Sequence, residues 1–169
     1  MTSFRKPKSG CWGITRGQRP LPPHIRALRV DRHDRAAFRQ LVQAQTMTWD
    51  LVVDVIGFDA DDARQDVETF RSCARHLVFI STDFVFDPAR RTFPQTNENP
   101  HYAAASYGGG KRACERVFLE GDTGPLAWTV VRPPHIYGPG SQLGCLPTHG
   151  RDPDLIRRMR AGEALKLVG

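Results

Sequence analysis

Short apolar runs alternate along this chain with stretches in which apolar residues recur at helical spacing. Ile25–Val30 reads as a short strand that ends at Asp31. Arg35–Ala44 places Ala36, Ala37, Leu41 and Ala44 at helical intervals, with Asp34 in the N-cap position. Leu51–Ile56, LVVDVI, is rich in β-branched residues and reads as a buried strand. Asp59–Ala74 reads as a helix whose acidic first turn suits the helix dipole. His76–Ser81 is a second buried strand, Trp128–Arg132 a third, and residues 106–120 a helix between them. Asp83–Tyr102, with Pro88, Pro94 and Pro100, reads as a loop. Asp152 and Pro153 are placed to open a short helix reaching Ala161, and Leu165–Val168 looks like the start of another strand.

Strands alternating with helices of this length predict βαβ units, hence an α/β fold with a mainly parallel sheet and helices on both faces. Such sheets bind ligands at the carboxyl ends of their strands. Asp31, Val55–Phe58, Thr82–Asp83 and Pro133–His135 therefore fall where chemistry is expected. Residues 1–23 break the pattern. They are basic and carry Gly10, Gly13, Gly17 and the cluster Pro20, Pro22, Pro23, so they read as an irregular arm ahead of a domain spanning residues 24–169.

Composition narrows the class. With 169 residues, 40% hydrophobic and 25% charged, the chain suits one globular domain, two at most. No apolar run reaches the roughly 18 residues of a membrane span. The start MTSFRKPKSGCWG has no apolar stretch behind its basic residues, so no secretory signal is expected and a cytoplasmic location is. The four cysteines are far apart, with no spacing that suggests a metal site. The net charge of +6 is concentrated: residues 1–40 hold ten Lys/Arg against two acids, +8, and the remainder is −2. A basic arm can bind phosphate backbones, but no aromatic platform is interleaved with it, so nucleic acid is not the expected partner.

The central chemical feature is Tyr107-Gly-Gly-Gly-Lys111. On a helix, residues i and i+4 share one face, about 5–6 Å apart at Cβ. A fixed ammonium beside a phenol favours phenolate and makes the pair an acid–base catalyst. The competing reading is a flexible loop, since each glycine costs roughly 1 kcal/mol in a helix relative to alanine. Upstream, a strand ends in Ser81-Thr82-Asp83, offering a hydroxyl to the same substrate oxygen. Downstream, a strand runs into Arg132-Pro-Pro-His-Ile-Tyr-Gly-Pro-Gly.

Together these segments resemble the NAD(P)-dependent epimerase/dehydratase family, the extended short-chain dehydrogenase/reductases. VRPPHIYGPGS is similar to the family's segment after its sixth strand, and STDFVF to its hydroxyl-bearing segment after the fifth. YGGGKRACE is similar to its YxxxK helix, WDLVVDVIGF to its fourth strand, and LRVDRHD to its third-strand pattern. The resemblance implies a Rossmann-like, doubly wound sheet, NAD or NADP as cofactor, and hydride transfer to or from a hydroxyl or carbonyl of a sugar-nucleotide-like small molecule. It implies Tyr107 as general acid/base, Lys111 as the group that lowers its pKa and holds the nicotinamide ribose, and Thr82 as hydroxyl partner. Asp31 would sit at the adenine edge and Arg16 near an adenosine 2′-phosphate. Val55, Ile56 and Gly57 would line the cofactor, and Pro133 would face the nicotinamide. A homodimer is left open.

One part of the family pattern is not found. Gly10-Cys-Trp-Gly13-Ile-Thr-Arg-Gly17 is the nearest approach to a G-x-x-G-x-x-G phosphate turn, but QRPLPP follows it where a helix should begin. The first strand and its glycine turn are therefore expected to be missing. Strands 25–31 and 51–56 must then pair directly or leave edges open. Weak or absent cofactor binding follows, with an inactive remnant or a nucleic-acid-binding relative as the other readings of the chain.

Overall fold

The computed structural model describes residues 10–134, 136 and 154–164. Its contacts divide the chain into two compact units, Met1–Arg132 and Pro133–Gly169. The first unit contains five strands and three helices in the order β1 (Cys11–Thr15), β2 (Ile25–Arg29), α1 (Arg35–Gln43), β3 (Val52–Asp54), α2 (Ala60–Phe70), β4 (His76–Ile80), α3 (Ser106–Glu120) and β5 (Ala127–Val131). In the second unit, α4 (Leu155–Arg160) is preceded by Asp154 at its N-cap. The helix start expected at Asp152–Pro153 and the strand at 165–168 lie outside the described residues.

Among the described strands every pairing is parallel, but the sheet is in two pieces. β1 pairs with β2, and β3, β4 and β5 pair in that order. This is a Rossmann-like α/β arrangement. The expectation of an irregular segment through residue 23 fails at β1. Trp12 packs edge-on against Trp49, with ring centroids 5.7 Å apart, and lies beneath the Arg26 guanidinium. Ile14 joins the margin of the core. Gly13 stands where a Cβ would come within 2.8 Å of Leu21 Cδ1. The glycine that makes the segment look like a turn is thus what lets the returning chain pass close to the strand. The Gly10–Gly17 stretch is accordingly strand rather than phosphate turn.

α1, α2 and α3 pack on the same core. Phe38 and Val42 come from α1, Ala63, Val67 and Phe70 from α2, Leu77 and Phe79 from β4, and Cys114 and Phe118 from α3. Phe79 and Phe118 meet at 5.4 Å between centroids. Burying a side chain of this size contributes roughly 1.5–3 kcal/mol. The strand predicted as buried at Leu51–Ile56 is shorter, and Leu51, Val53 and Val55 on its alternate face are exposed. Residues 16–24, between β1 and β2, carry three prolines and form no helix.

α3 takes the span expected for it, and its glycines have a packing role. A Cβ on Gly108 would lie 1.9 Å from the carbonyl oxygen of Phe84, and one on Gly110 would lie 2.6 Å from that of Phe58. The helix therefore rests backbone to backbone on the turns that follow β4 and β3. Its other anchor is Glu115, which is completely buried. Its carboxylate accepts hydrogen bonds from Ser81 Oγ at 2.7 Å, Arg112 Nη1 at 2.8 Å, and Arg132 Nε and Nη2 at 2.8 and 2.7 Å. Burial alone would raise the Glu115 pKa, but these donors outweigh it and hold the group below the usual carboxylate value.

Two outcomes follow. Gly108→Ala gains helix propensity worth about 1 kcal/mol. It should nonetheless lower the melting temperature, because the added methyl collides with main chain that cannot rotate away. A stabilised variant would show that α3 does not sit this close. Glu115→Gln should lose roughly 3–5 kcal/mol in chemical denaturation, since it leaves two guanidinium groups without their carboxylate. Because Glu115 is more acidic folded than unfolded, its contribution is present above the unfolded carboxyl pKa and is lost as pH falls through the folded one. The acid limb of the stability profile should therefore be shallower in Glu115→Gln.

Candidate functional site

β4 delivers its carboxyl end to the middle of the first unit. Lys111, almost fully buried on α3, donates from Nζ to the carbonyl oxygen of Ile80, the last residue of β4, at 2.8 Å. The ammonium lies 4.8 Å from the ring centroid of Phe79 and 5.1 Å from that of Phe58. Burial lowers the Lys111 pKa, and the charges of Asp54 and Asp62 oppose that effect. One helical turn earlier, Tyr107 is half exposed, and its ring packs at 6.3 Å from Phe58. Phe58 thus touches both members of the tyrosine–lysine pair. Immediately before Tyr107, Ser106 has φ 73°, a left-handed conformation costly for a non-glycine residue. Such strain is concentrated at functional sites.

Two residues past Ile80, Thr82 is buried, and its Oγ1 accepts from Phe84 N at 3.2 Å to cap the turn Asp83–Val85. Ser81 points the other way, into Glu115. A small hollow of ≈ 170 Å³ opens beside Tyr107, with Phe84, Phe86, Arg91 and Ser106 among its walls. A larger one of ≈ 550 Å³ lies on the outer side of α2 and α3, among Arg64, Glu68, Arg116 and Glu120, and none of the residues expected in the site borders it.

The other expected positions, Pro133 apart, are distributed over three strand ends. Val55 and Ile56 are exposed just after β3, and Gly57 is buried. A Cβ there would strike Asp54 Oδ2 at 2.4 Å and Phe79 Cε2 at 2.9 Å, so only glycine permits this turn. Asp31 is exposed after β2, its Oδ1 accepting from His33 N. Arg16 is exposed after β1, bonded to Gln18. Pro133 begins the second unit. The structure therefore brings Tyr107, Lys111 and Thr82 to the region of β4, whereas Arg16 and Asp31 follow the strands of the other sheet.

Reading the sequence alone misses the ionic core next to this site. Arg32 is buried, with Nη1 3.0 Å from Asp54 Oδ1, Nη2 3.2 Å from Asp66 Oδ1 and Nε 3.6 Å from Asp62 Oδ1. One signal was available: Asp54 is the lone charge inside LVVDVI. An uncompensated carboxylate in a buried run demands a partner.

The comparisons agree with this architecture. Three solved structures that resemble the chain are Pal from Bacillus thuringiensis, a protein of Methylobacillus flagellatus provisionally described as an NAD-dependent epimerase/dehydratase, and a provisionally described epimerase of Burkholderia cenocepacia J2315. Identities are 19%, 20% and 18%, with TM-scores of 0.55, 0.56 and 0.58. They cover 75%, 76% and 79% of this chain but only 48%, 46% and 48% of their own lengths, so the chain spans about half of each. No curated protein matches it. The family model described as NAD dependent epimerase/dehydratase matches residues 5–169. With that match over nearly its whole length, the chain belongs to the NAD dependent epimerase/dehydratase family.

Proposed function

We propose that this chain carries the acid–base part of a nicotinamide-dependent site acting on a hydroxyl or carbonyl of a sugar-nucleotide-like substrate. The observation that carries the reading is the placement of Lys111. A helix bearing Tyr107 and Lys111 four residues apart rests on the carboxyl end of β4, where the lysine ammonium meets the Ile80 carbonyl and Thr82 follows. In this reading the Tyr107 hydroxyl exchanges a proton with the substrate oxygen. Lys111 stabilises the phenolate, and Thr82 Oγ1 offers that oxygen a second hydrogen bond. The nicotinamide, when bound, supplies the hydride chemistry.

The described residues fit one end of such a cofactor better than the other. Lys111 and Tyr107 can serve the ribose and nicotinamide end, and Val55 and Ile56 present exposed apolar surface after β3. For the pyrophosphate there is no counterpart. β1 leads through residues 16–24 to β2 with no helix between, so no helix N-terminus faces a phosphate there. Arg16 and Asp31 remain as the groups for the adenosine end. The described residues alone thus favour weak binding of NAD or NADP.

Calorimetric titration of the chain with NADH and NADPH should give no dissociation constant below about 1 mM. Micromolar affinity would sink the account of the missing phosphate site. In a fusion that places a strand, a G-x-x-G-x-x-G turn and a helix ahead of β1, binding should tighten and turnover become measurable. There, Tyr107→Phe should lower turnover about 10²–10⁴-fold with the melting temperature preserved. Lys111→Met should lower turnover and cofactor affinity together and move the remaining activity to higher pH. Full activity in Tyr107→Phe would leave α3 without a catalytic role.

A further inference from the structure

Three carboxylates, those of Asp54, Asp62 and Asp66, surround the single guanidinium of Arg32, and all four side chains are more than nine-tenths buried. Fully ionised, the three carboxylates would face Arg32 and the half-exposed Arg35, so at least one negative charge would stand uncompensated out of water, which is costly. Three oxygens in it accept no hydrogen bond among the described residues: Asp62 Oδ1, which lies 3.6 Å from Arg32 and 3.7 Å from Arg35, and Asp54 Oδ2 and Asp66 Oδ2, which have no such cation beside them. Asp54 and Asp66 both reach Arg32, at 3.0 and 3.2 Å, and each carboxyl acts on the other's protonation as a hydrogen-bonding neighbour. Two carboxylates can be such neighbours only if one of them carries a proton.

The far side of Asp54 holds the turn after β3. Its Oδ1 accepts from Ile56 N at 2.8 Å and from Gly57 N at 3.1 Å, as well as from Arg32. Gly57 lies directly over the carboxylate, with no room for a Cβ. The orientation of Asp54 therefore fixes the turn, and the orientation of Asp54 depends on what holds Oδ2.

We propose that Asp66 is a positioning residue that stays protonated and donates to Asp54 Oδ2, so that one shared proton, clamped by Arg32, locks the Val55–Gly57 turn at the end of β3. The proposal needs no bound cofactor and stands apart from the reading of Tyr107 and Lys111. The other charges facing the pair are Asp62 on α2, Arg35 on α1, which reaches Asp62 Oδ1 at 3.7 Å, and Lys111 on α3. Burial first, and then the Asp54 charge, push the Asp66 carboxyl well above its ordinary value, while Asp54 is held below its own by Asp66 and Arg32 against the pull of burial.

The sign of the pH effect is opposite to that of Glu115. An acid that holds its proton better folded than unfolded binds more protons in the folded state. Its stabilisation is complete below the unfolded carboxyl pKa and is lost as pH climbs toward the folded one. The pairing also separates isosteres. In Asp66→Asn the amide still donates to Asp54 Oδ2 but cannot ionise, whereas in Asp66→Leu there is no donor at all.

The test compares melting temperatures of the parent, Asp66→Asn and Asp66→Leu from about pH 5 to about pH 10. Infrared spectra at neutral pH and amide hydrogen exchange at Ile56 and Gly57 complete it. The parent should show a protonated-carboxyl C=O stretch that Asp66→Asn lacks, and its melting temperature should fall relative to that of Asp66→Asn as pH rises. Exchange at Ile56 and Gly57 should speed up in Asp66→Leu and stay slow in Asp66→Asn. Parallel pH profiles of the parent and Asp66→Asn, or no carboxyl band in the parent, would overturn the shared proton. Unchanged exchange in Asp66→Leu would overturn the positioning role. If Asp66→Leu does not fold, equally slow Ile56 and Gly57 exchange in the parent at high and neutral pH overturns that role instead.

Discussion

The arrangement at β4 depends on how closely α3 approaches the turns beneath it. At Gly108 and Gly110 the helix meets the carbonyls of Phe84 and Phe58 with no side chain between. That approach sets the depth at which Lys111 enters the core, and hence the contact of its Nζ with Ile80. It also lays Phe58 against both Lys111 and Tyr107. Larger residues at these positions would lift the helix, and the ammonium would lose the strand end it reaches.

α3 was legible from the sequence because its span is set by local pattern. Apolar and small residues recur at helical spacing, and Gly121 closes it. What the pattern does not reveal is why three glycines follow Tyr107. Intrinsic propensity counts them as a cost, and only the main chain of Phe58 and Phe84, distant in sequence, turns them into a requirement. β1 was hidden for a related reason: Gly13 and the flanking basic and proline residues resemble a loop, and the partners that make a strand of it are Trp49, Leu21 and β2. The cluster around Arg32 is less legible still. Asp54 lies 22 residues from Arg32 and Asp66 lies 34 away. Asp54 alone stands out locally, as a charge inside an apolar strand, whereas Arg32 and Asp66 read as ordinary polar positions in a loop and on the acidic face of a helix.

Two buried ionic groups flank α2 and α3 and have opposite characters. Around Glu115 the donors outnumber the acceptor, and the carboxylate is fully satisfied by Ser81, Arg112 and Arg132. Around Arg32 the acceptors outnumber the donor. The first ties α3 to the end of β5. The second ties the β2–α1 turn to β3 and α2, and so crosses between the two pieces of the sheet. Together with the packing of Phe38 on Phe70 and of Trp12 on Trp49, Arg32 joins the β1–β2 pair to the remainder of the first unit.

The outer edge of β3 has a consequence for self-association. A strand edge with free amides and carbonyls is a template on which other chains can pair, and this one adjoins the exposed apolar side chains Leu51, Val53 and Val55. Its length works against that hazard. Only Val52–Asp54 is regular strand, Asp50 lies exposed just ahead of it, and Asp54 turns its charge inward at the other end. A three-residue edge bounded by two carboxylates admits few registers and little pairing. The same features that shorten the strand thus guard the sheet against edge-to-edge aggregation.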